Sequence, residues 1–458
     1  MHSSTNQNSG ARMLLIDENI RDSGGHYLEL AQLLMQGAKQ HGYRPTLATN
    51  QSFDQGKASE LHCDIRSVFE PRRMNAWSLG VDGNSLVQRA GMARPVGASF
   101  PLRASQQVRD ALSRRQRNPQ RMIQQWSDGF LKLINDWKPE AADQILVNTA
   151  DDFVMLALSN ALQQYKSSTP LSVSAIFHFA LFASNKITRR AREFGQQVNA
   201  AVQASQPHSI SLFATTHSLS SQLEAVGVDA APVPYPTRSR QSVMRHEKRN
   251  AEQPLKILMA GMPRAEKGRD KIATLLSAIH RPFLADNQYR FSLQVRPDTW
   301  KRLIPSELHP AYHAAVDRHS ADTVSPLEIV SSDLPGQEYH QWLGTADVGL
   351  FLYDPVRYEA RCSGVLLEMM VAGVPVVVPE KCWLDDQLQV AGGDGAIGYR
   401  YRTIDQIPSL LQRIRGDYVA LRDRSQRYAD VMRKRHTGAN TIKQMGMPVV
   451  NAQHRMAS

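Results

Sequence analysis

The sequence predicts an α/β protein of two domains, each built on a doubly wound parallel sheet, and three observations carry that expectation. Short apolar runs alternate with stretches of helical periodicity along most of the chain, the order that parallel βαβ units require. The alternation breaks in a polar, basic segment and then restarts. The chain has 458 residues, more than one ordinary core accommodates at about 100–200 residues per domain.

Residues 1–11 are polar and read as a disordered lead, after which MLLID (Met13–Asp17) is an apolar run suited to a buried parallel strand. Tyr27, Leu30, Ala31, Leu34, Met35 and Ala38 then recur at helical spacing, and Gly42 stands where that helix should stop. RPTLATN supplies the next strand. The turn between first strand and helix, Asp22-Ser23-Gly24-Gly25-His26, falls at the strand's carboxyl end, where such sheets bind ligands. Residues of about 64–125 read as an insertion, with six arginines and one aspartate from Arg103 to Arg121. DQILVNTADD, an apolar helix from Phe153, LSVSAIFHF and SISLFATT continue the sheet, completing an N-terminal domain over 12–236. Residues 237–254 are polar, basic and aperiodic, as a linker is. LKILMAG opens a C-terminal domain over 255–436, with a helix from about Arg269, the strands FSLQVRP, LEIVSSD, ADVGLFLY and VPVVVP, and closing helices from Ile404 to about Lys434. Residues 437–458 are left as a tail, and no repeat of solenoid period occurs.

Composition narrows the class. An apolar fraction of 42% excludes wholesale disorder. No apolar run approaches the roughly 20 residues of a membrane-spanning helix, and MHSSTNQNSGAR lacks a signal peptide's apolar core, so a cytoplasmic location is expected. Cys63, Cys362 and Cys382 are odd in number and far apart, consistent with reduced thiols rather than a disulfide or zinc framework. The 54 Lys and Arg against 43 Asp and Glu give a net charge of +11, which suits nucleic acid, an anionic membrane or a phosphate-bearing ligand equally. The arginine-rich stretch contains no aromatic residue to stack on bases, and nucleic acid is not expected as a partner. Val108 and Leu112 have the spacing of an amphipathic helix, so peripheral contact with an anionic membrane stays open beside a plain solvated face.

Two constellations carry chemistry. Gly261-Met262-Pro263-Arg264-Ala265-Glu266-Lys267-Gly268 stands where a strand ends and a helix begins, with two cations three residues apart. Such a loop suits a diphosphate, since Arg offers a planar fork and Lys a point charge; a solvated charged turn is the alternative. The second runs from Tyr358 to Pro375 as loop, helix and strand. Ser363 and Gly364 fall at the helix start, where unpaired N–H groups and the macrodipole favour an anion, with Val365 next in line. Glu368 lies just over a turn further in, placed to accept paired sugar hydroxyls or to form a structural ion pair. His178 follows the apolar run SAIF at a strand's carboxyl edge; it is either a ligand-rim residue with a pKa near neutrality or a satisfied core histidine. Asp151 and Asp152, after ILVNT, are weaker candidates, and His26 belongs to the acceptor side.

The pattern GxxRxEKG followed by SGxxxEMxxAGVPVVVP resembles the nucleotide-binding half of retaining GT-B glycosyltransferases, family 4 in particular, and with the Gly-Gly-His turn the resemblance spans most of residues 13–436. It implies GT-B architecture, two Rossmann-like domains facing a central cleft. It also implies transfer of a sugar from a nucleoside-diphosphate sugar to a glycan, lipid-linked or small-molecule acceptor, with retention and with no cofactor or metal. By the same resemblance Arg264 and Lys267 hold the diphosphate, Ser363 and Gly364 cap it, Glu368 holds the ribose, His178 sits near the reacting sugar, and Gly24 and Gly25 admit donor or acceptor close to the backbone. One departure stands out. The family commonly has two glutamates with seven residues between them, yet the position eight before Glu368 is Ala360. Either neighbouring Glu359 serves, or Arg361 and backbone groups contact the sugar, or the ordinary sugar contact is lost. A silent GT-B nucleotide-sugar or glycan binder, a basic nucleic-acid-associated protein and a sugar-nucleotide epimerase are the competing classes.

Overall fold

The computed structural model describes residues 10–21, 26–54, 61, 63–70, 119–167, 169–184, 186–238, 253–296, 299–306, 309, 326–330, 334 and 336–450. The chain divides into two compact units, one of residues 1–236 with 438–458 and one of residues 237–437.

Among the described residues the N-terminal unit has seven strands: β1 (Arg12–Ile16), β2 (Arg44–Asn50), β3 (Asp64–Phe69), β4 (Gln144–Val147), β5 (Ser172–Phe177), β6 (Ser209–Ala214) and β7 (Ala231–Pro232). They pair in parallel in the order β3-β2-β1-β4-β5-β6-β7. Met13, Leu14 and Leu15 are completely buried on both faces of β1, which is why its sequence is continuously apolar rather than alternating. Helices α1 (His26–Gln40), α2 (Pro119–Trp137), α3 (Asp152–Gln164), α4 (Arg189–Ala204) and α5 (His217–Glu224) follow strands as crossovers. The Asp151, Thr188 and Thr216 side chains cap α3, α4 and α5 by accepting backbone N–H groups of their first turns.

Two expectations change here. Residues 64–69 form the edge strand β3, and Phe69 packs its ring 5.3 Å from Trp126 and 4.8 Å from Phe130 of α2, so both ends of the expected insertion belong to the sheet and its layer. The stretch 71–118, with Val108, Leu112 and most of the arginines, lies outside the described residues, as do Gly24 and Gly25. The expected tail instead returns to the N-terminal unit. Its helix, closing the chain at Gly438–Gln444, packs on α1, and Ile442, Met445 and Met447 join the buried cluster of β1 and α1.

Among its described residues the C-terminal unit has six strands: β8 (Leu255–Met259), β9 (Tyr289–Gln294), β10 (Leu327–Val330), β11 (Val348–Leu350), β12 (Val376–Pro379) and β13 (Gly398–Tyr401). All pair in parallel, in the order β10-β9-β8-β11-β12-β13. Helices α6 (Ile272–Ile279), α7 (Gly336–Leu343), α8 (Gly364–Val371), α9 (Trp383–Val390), α10 (Ile407–Gly416) and α11 (Tyr418–Arg435) complete it; the helix Gly438–Gln444 is α12. Leu275, Leu276 and Ile279 of α6 pack with Ile257, Phe291 and Leu350 in one core. In each sheet the strand order reverses beside the first strand, between β1 and β4 and between β8 and β11, and ligands of such sheets collect at the carboxyl ends there. No described helix is long and apolar enough to cross a membrane.

Candidate functional site

The C-terminal switch point is built from the loops leaving β8 and β11. After β8 the chain turns at Gly261, whose φ of +85° L side chains rarely adopt, and its N–H donates to Gln294 Oε1 at 2.7 Å. A 3-10 turn over Ala265–Lys267 carries the lysine back over the glycine, so that a Cβ on residue 261 would lie 2.5 Å from Lys267 Nζ. The absent side chain thus makes the room that the ammonium occupies. Arg264 at the start of the turn is exposed, with Glu266 Oε1 3.9 Å away, and the Asp354 N–H donates to Glu266 O, tying this loop to the exit of β11.

That exit supplies an aromatic base which the sequence reading did not single out. The Tyr353 and Tyr358 rings lie 4.4 Å apart; Lys267 Nζ stands 5.6 Å from the Tyr353 ring and the Arg361 guanidinium 5.5 Å from that of Tyr358. Burial lowers the half-buried Lys267 ammonium below its usual value; Tyr358 and Glu266 oppose the shift, while Arg264 and Arg361 add to it. Both guanidinium groups are therefore close enough to repel the ammonium. Burial also raises the Tyr353 and Tyr358 hydroxyls and the Cys362 thiol. Tyr353 is 2% exposed, and its hydroxyl has no hydrogen-bond partner among the described residues. Ser363 lies near enough to favour the ionised form of Tyr353, and its Oγ accepts the Leu366 N–H at 3.2 Å as the N-cap of α8.

With Leu366 capped by the serine side chain, the N–H groups of Gly364 and Val365 in the first turn of α8 have no partner among the described residues. Glu368 is half-buried and accepts from the Tyr339 hydroxyl at 3.1 Å, which answers the sequence-level question of what partners a glutamate in an apolar helix. Tyr353 feels the charges of Arg361, Glu368 and Glu266, so these candidates and Ser363 gather around one ring. Ala360 is 0% exposed, and Glu359 beside it is half-buried.

The N-terminal switch point presents a second cluster. His178 follows β5 directly, and its Nε2 lies 2.6 Å from the Asn148 carbonyl oxygen at the end of β4, with Tyr235 edge-on at 5.9 Å. The Asn148 side chain donates to Asp17 Oδ2 at 2.6 Å from the end of β1. Burial raises the Asp17 carboxyl to about 6, against the opposing bonds from Asn148, Asn19 and Thr149. Sequence reading missed both Asp17 and Asn148. Asp17 ended the quoted run MLLID and Asn148 follows the apolar residues of ILVNT, which was the available signal. His26 begins α1, and its side chain is outside the described residues. The neighbouring aspartates are committed elsewhere: Asp151 caps α3 and Asp152 pairs with Arg190. In the C-terminal unit Asp385 pairs with Arg400. A cavity of about 420 Å³ between β3 and α2 is lined by Arg66, Glu70, Trp126, Lys132 and Asp136 among others, and by none of the expected site residues.

No family model and no curated protein matches this sequence. Solved structures do. Sucrose-phosphate synthase from Thermosynechococcus elongatus is similar with a TM-score of 0.58 at 14% identity, over 95% of this chain and 97% of that one. Anabaena HepE in complex with UDP gives 0.55 at 11% identity, over 95% and 98%. An E. coli trehalose-6-phosphate structure bound with UDP-2-fluoro glucose gives 0.57 at 10% identity, over 95% and 99%. At such identities the likeness is one of fold: two parallel sheets with flanking helices, the GT-B architecture.

Proposed function

From this GT-B fold we propose that the protein is a glycosyltransferase, moving a sugar from a nucleoside-diphosphate sugar to a glycan, lipid-linked or small-molecule acceptor, with retention and without a metal. The observation that carries the reading is the meeting of Arg264, Lys267 and Arg361 with the open N–H groups of Gly364 and Val365 at the β8/β11 switch point. The repulsion that Arg264 and Arg361 exert on Lys267 is relieved by a dianion, and fixed positive potential is what a departing diphosphate requires. In the transfer, the acceptor oxygen bonds the anomeric carbon, the bond from that carbon to the diphosphate breaks, and the acceptor's proton passes to the departing diphosphate oxygen. Glu368 takes the ribose hydroxyls, as the family resemblance implies. The acceptor belongs to the N-terminal unit, with His178 near the reacting sugar and Gly24, Gly25 and His26 on the acceptor side. The two similar structures holding UDP or a UDP sugar support a uridine donor as the first to test.

A silent binding protein is the second reading, favoured by Ala360, a completely buried methyl where the family pattern puts a carboxylate. A panel of UDP, GDP and ADP sugars separates the two. The transferase reading predicts that one of them releases its nucleoside diphosphate, slowly alone and faster with an acceptor, and that chelating metal leaves the rate unchanged. Tight nucleotide binding with no release from any sugar would establish the silent reading instead.

A further inference from the structure

The start of α8 and the tyrosine beside it hold more hydrogen-bond donors than acceptors. Ser363 and Tyr353 are both buried, at 4% and 2% exposed. Ser363 Oγ accepts the Leu366 N–H at 3.2 Å, which leaves it one further lone pair and its own hydrogen. The Tyr353 hydroxyl has no partner among the described residues. Burial raises its pKa, so it keeps its hydrogen at neutral pH, and Ser363 is near enough to oppose that rise. Two neighbouring hydroxyls share one hydrogen bond at most, so one hydrogen of the pair is left over. It joins the N–H groups of Gly364 and Val365, which also lack an acceptor among the described residues. A buried hydroxyl without a partner is costly, and a phenylalanine would fill the same space without that cost. The ring packs against Phe351, edge-on at 5.4 Å, and against Tyr358 at 4.4 Å, which holds the hydroxyl where it is.

We propose that Tyr353 is a positioning residue for Ser363: by donating its hydrogen to the serine Oγ, it commits the Ser363 hydrogen to a phosphate oxygen of the ligand bound at the start of α8. This rests on the reading of that start as a diphosphate site. The Leu366 N–H and the Tyr353 hydroxyl then engage both lone pairs of the serine oxygen, whose own hydrogen goes to the ligand. An oxygen that accepts twice is polarised into a better donor. The tyrosine needs no contact with the ligand, in keeping with its burial, and the phosphate supplies the acceptor that the described residues lack.

The test is calorimetric titration of the full-length protein with UDP, GDP, ADP and inorganic pyrophosphate, on the intact chain, Tyr353→Phe, Ser363→Ala and the double variant. Tyr353→Phe keeps the ring and should weaken binding about threefold to tenfold, the size of one neutral hydrogen bond. Ser363→Ala should weaken it by about tenfold or more, as a lost bond to an anion does. In the Ser363→Ala background Tyr353→Phe should change nothing further, because the hydrogen it steers is gone. A tyrosine with a merely structural role would weaken binding equally in both backgrounds, and that result overturns the proposal. Unchanged affinity in Tyr353→Phe overturns it too. Thermal unfolding without ligand should find Tyr353→Phe no less stable than the intact protein; a marked loss would mean that the hydroxyl is already satisfied within the chain, against the proposal. Should Ser363→Ala fail to fold, Ser363→Gly, which a helix N-cap tolerates, takes its place. If the intact protein binds none of the four ligands, the diphosphate reading falls and this inference with it, whereas binding that Tyr353→Phe leaves unchanged removes this inference alone.

Discussion

At the residue scale, the feature with the clearest consequence for solution behaviour is Asp17. Its carboxyl is lifted from 3.8 to about 6, chiefly by burial. Between those values the folded state binds a proton that the unfolded state has released, so stability falls as pH rises through the window and the full benefit is present only below it. At neutral pH the charged carboxylate is therefore a burden on the N-terminal unit. Asp17→Asn, the same shape without the charge, should raise the unit's stability by roughly 1–3 kcal/mol at neutral pH and leave it unchanged near pH 4. Calorimetric unfolding of both proteins across that range checks this; equal stabilities at neutral pH would mean that the carboxyl is solvated after all. Lys267 shows the same physics with the opposite charge. Its ammonium is disfavoured by burial and by Arg264 and Arg361 together, an imbalance that a bound anion corrects.

At the scale of elements, α12 shows where sequence reading stops. Its seven residues have too short an apolar pattern to assign, and the partner that makes sense of them is α1, about 400 positions earlier by the separation of His41 and Ala439, 398 residues. The contact is made by two glycines: a Cβ on Gly438 would lie 1.9 Å from Leu33 O, and one on Gly37 would lie 2.2 Å from Gly438 C. Hydrogen bonds from Thr441 to Pro234 O, from Tyr43 to Pro448 O and from the Val450 N–H to His41 O fasten the segment. Gly438→Ala should therefore destabilise the N-terminal unit by about 2 kcal/mol or more through forced separation of the helices, measured by denaturant unfolding. A change within about 0.5 kcal/mol would mean that the close approach is not needed. By contrast, β1, β2, β8 and the start of α8 were legible, because a buried parallel strand is continuously apolar and a helix start is marked by its capping serine. Of the two sites, the cation loop could be read because its residues are near neighbours in sequence. Asp17 and Asn148 are 131 positions apart, and only the pairing of β1 with β4 brings them together. Tyr353 escaped notice for another reason: an aromatic residue ending an apolar run looks like core until its neighbours are seen to be cations.

At the scale of the whole molecule, the two units share one strand order and differ in what their switch points hold. The N-terminal one gathers a carboxyl, an amide and an imidazole; the C-terminal one gathers three cations, two tyrosines in tilted ring contact and an open helix start. The net charge of +11 adds long-range attraction for any anion but cannot choose the site, so the site must be shown by variants rather than by binding alone. Calorimetric titration of the intact protein with UDP, GDP and ADP, repeated with Arg264→Ala and with Lys267→Ala, does this. One nucleotide should bind, each substitution should weaken it by about tenfold or more as expected for a lost charge-assisted contact, and added salt should weaken it further. Failure of the folded protein to bind any of the three, or undiminished binding in both variants, would contradict a diphosphate site at this switch point.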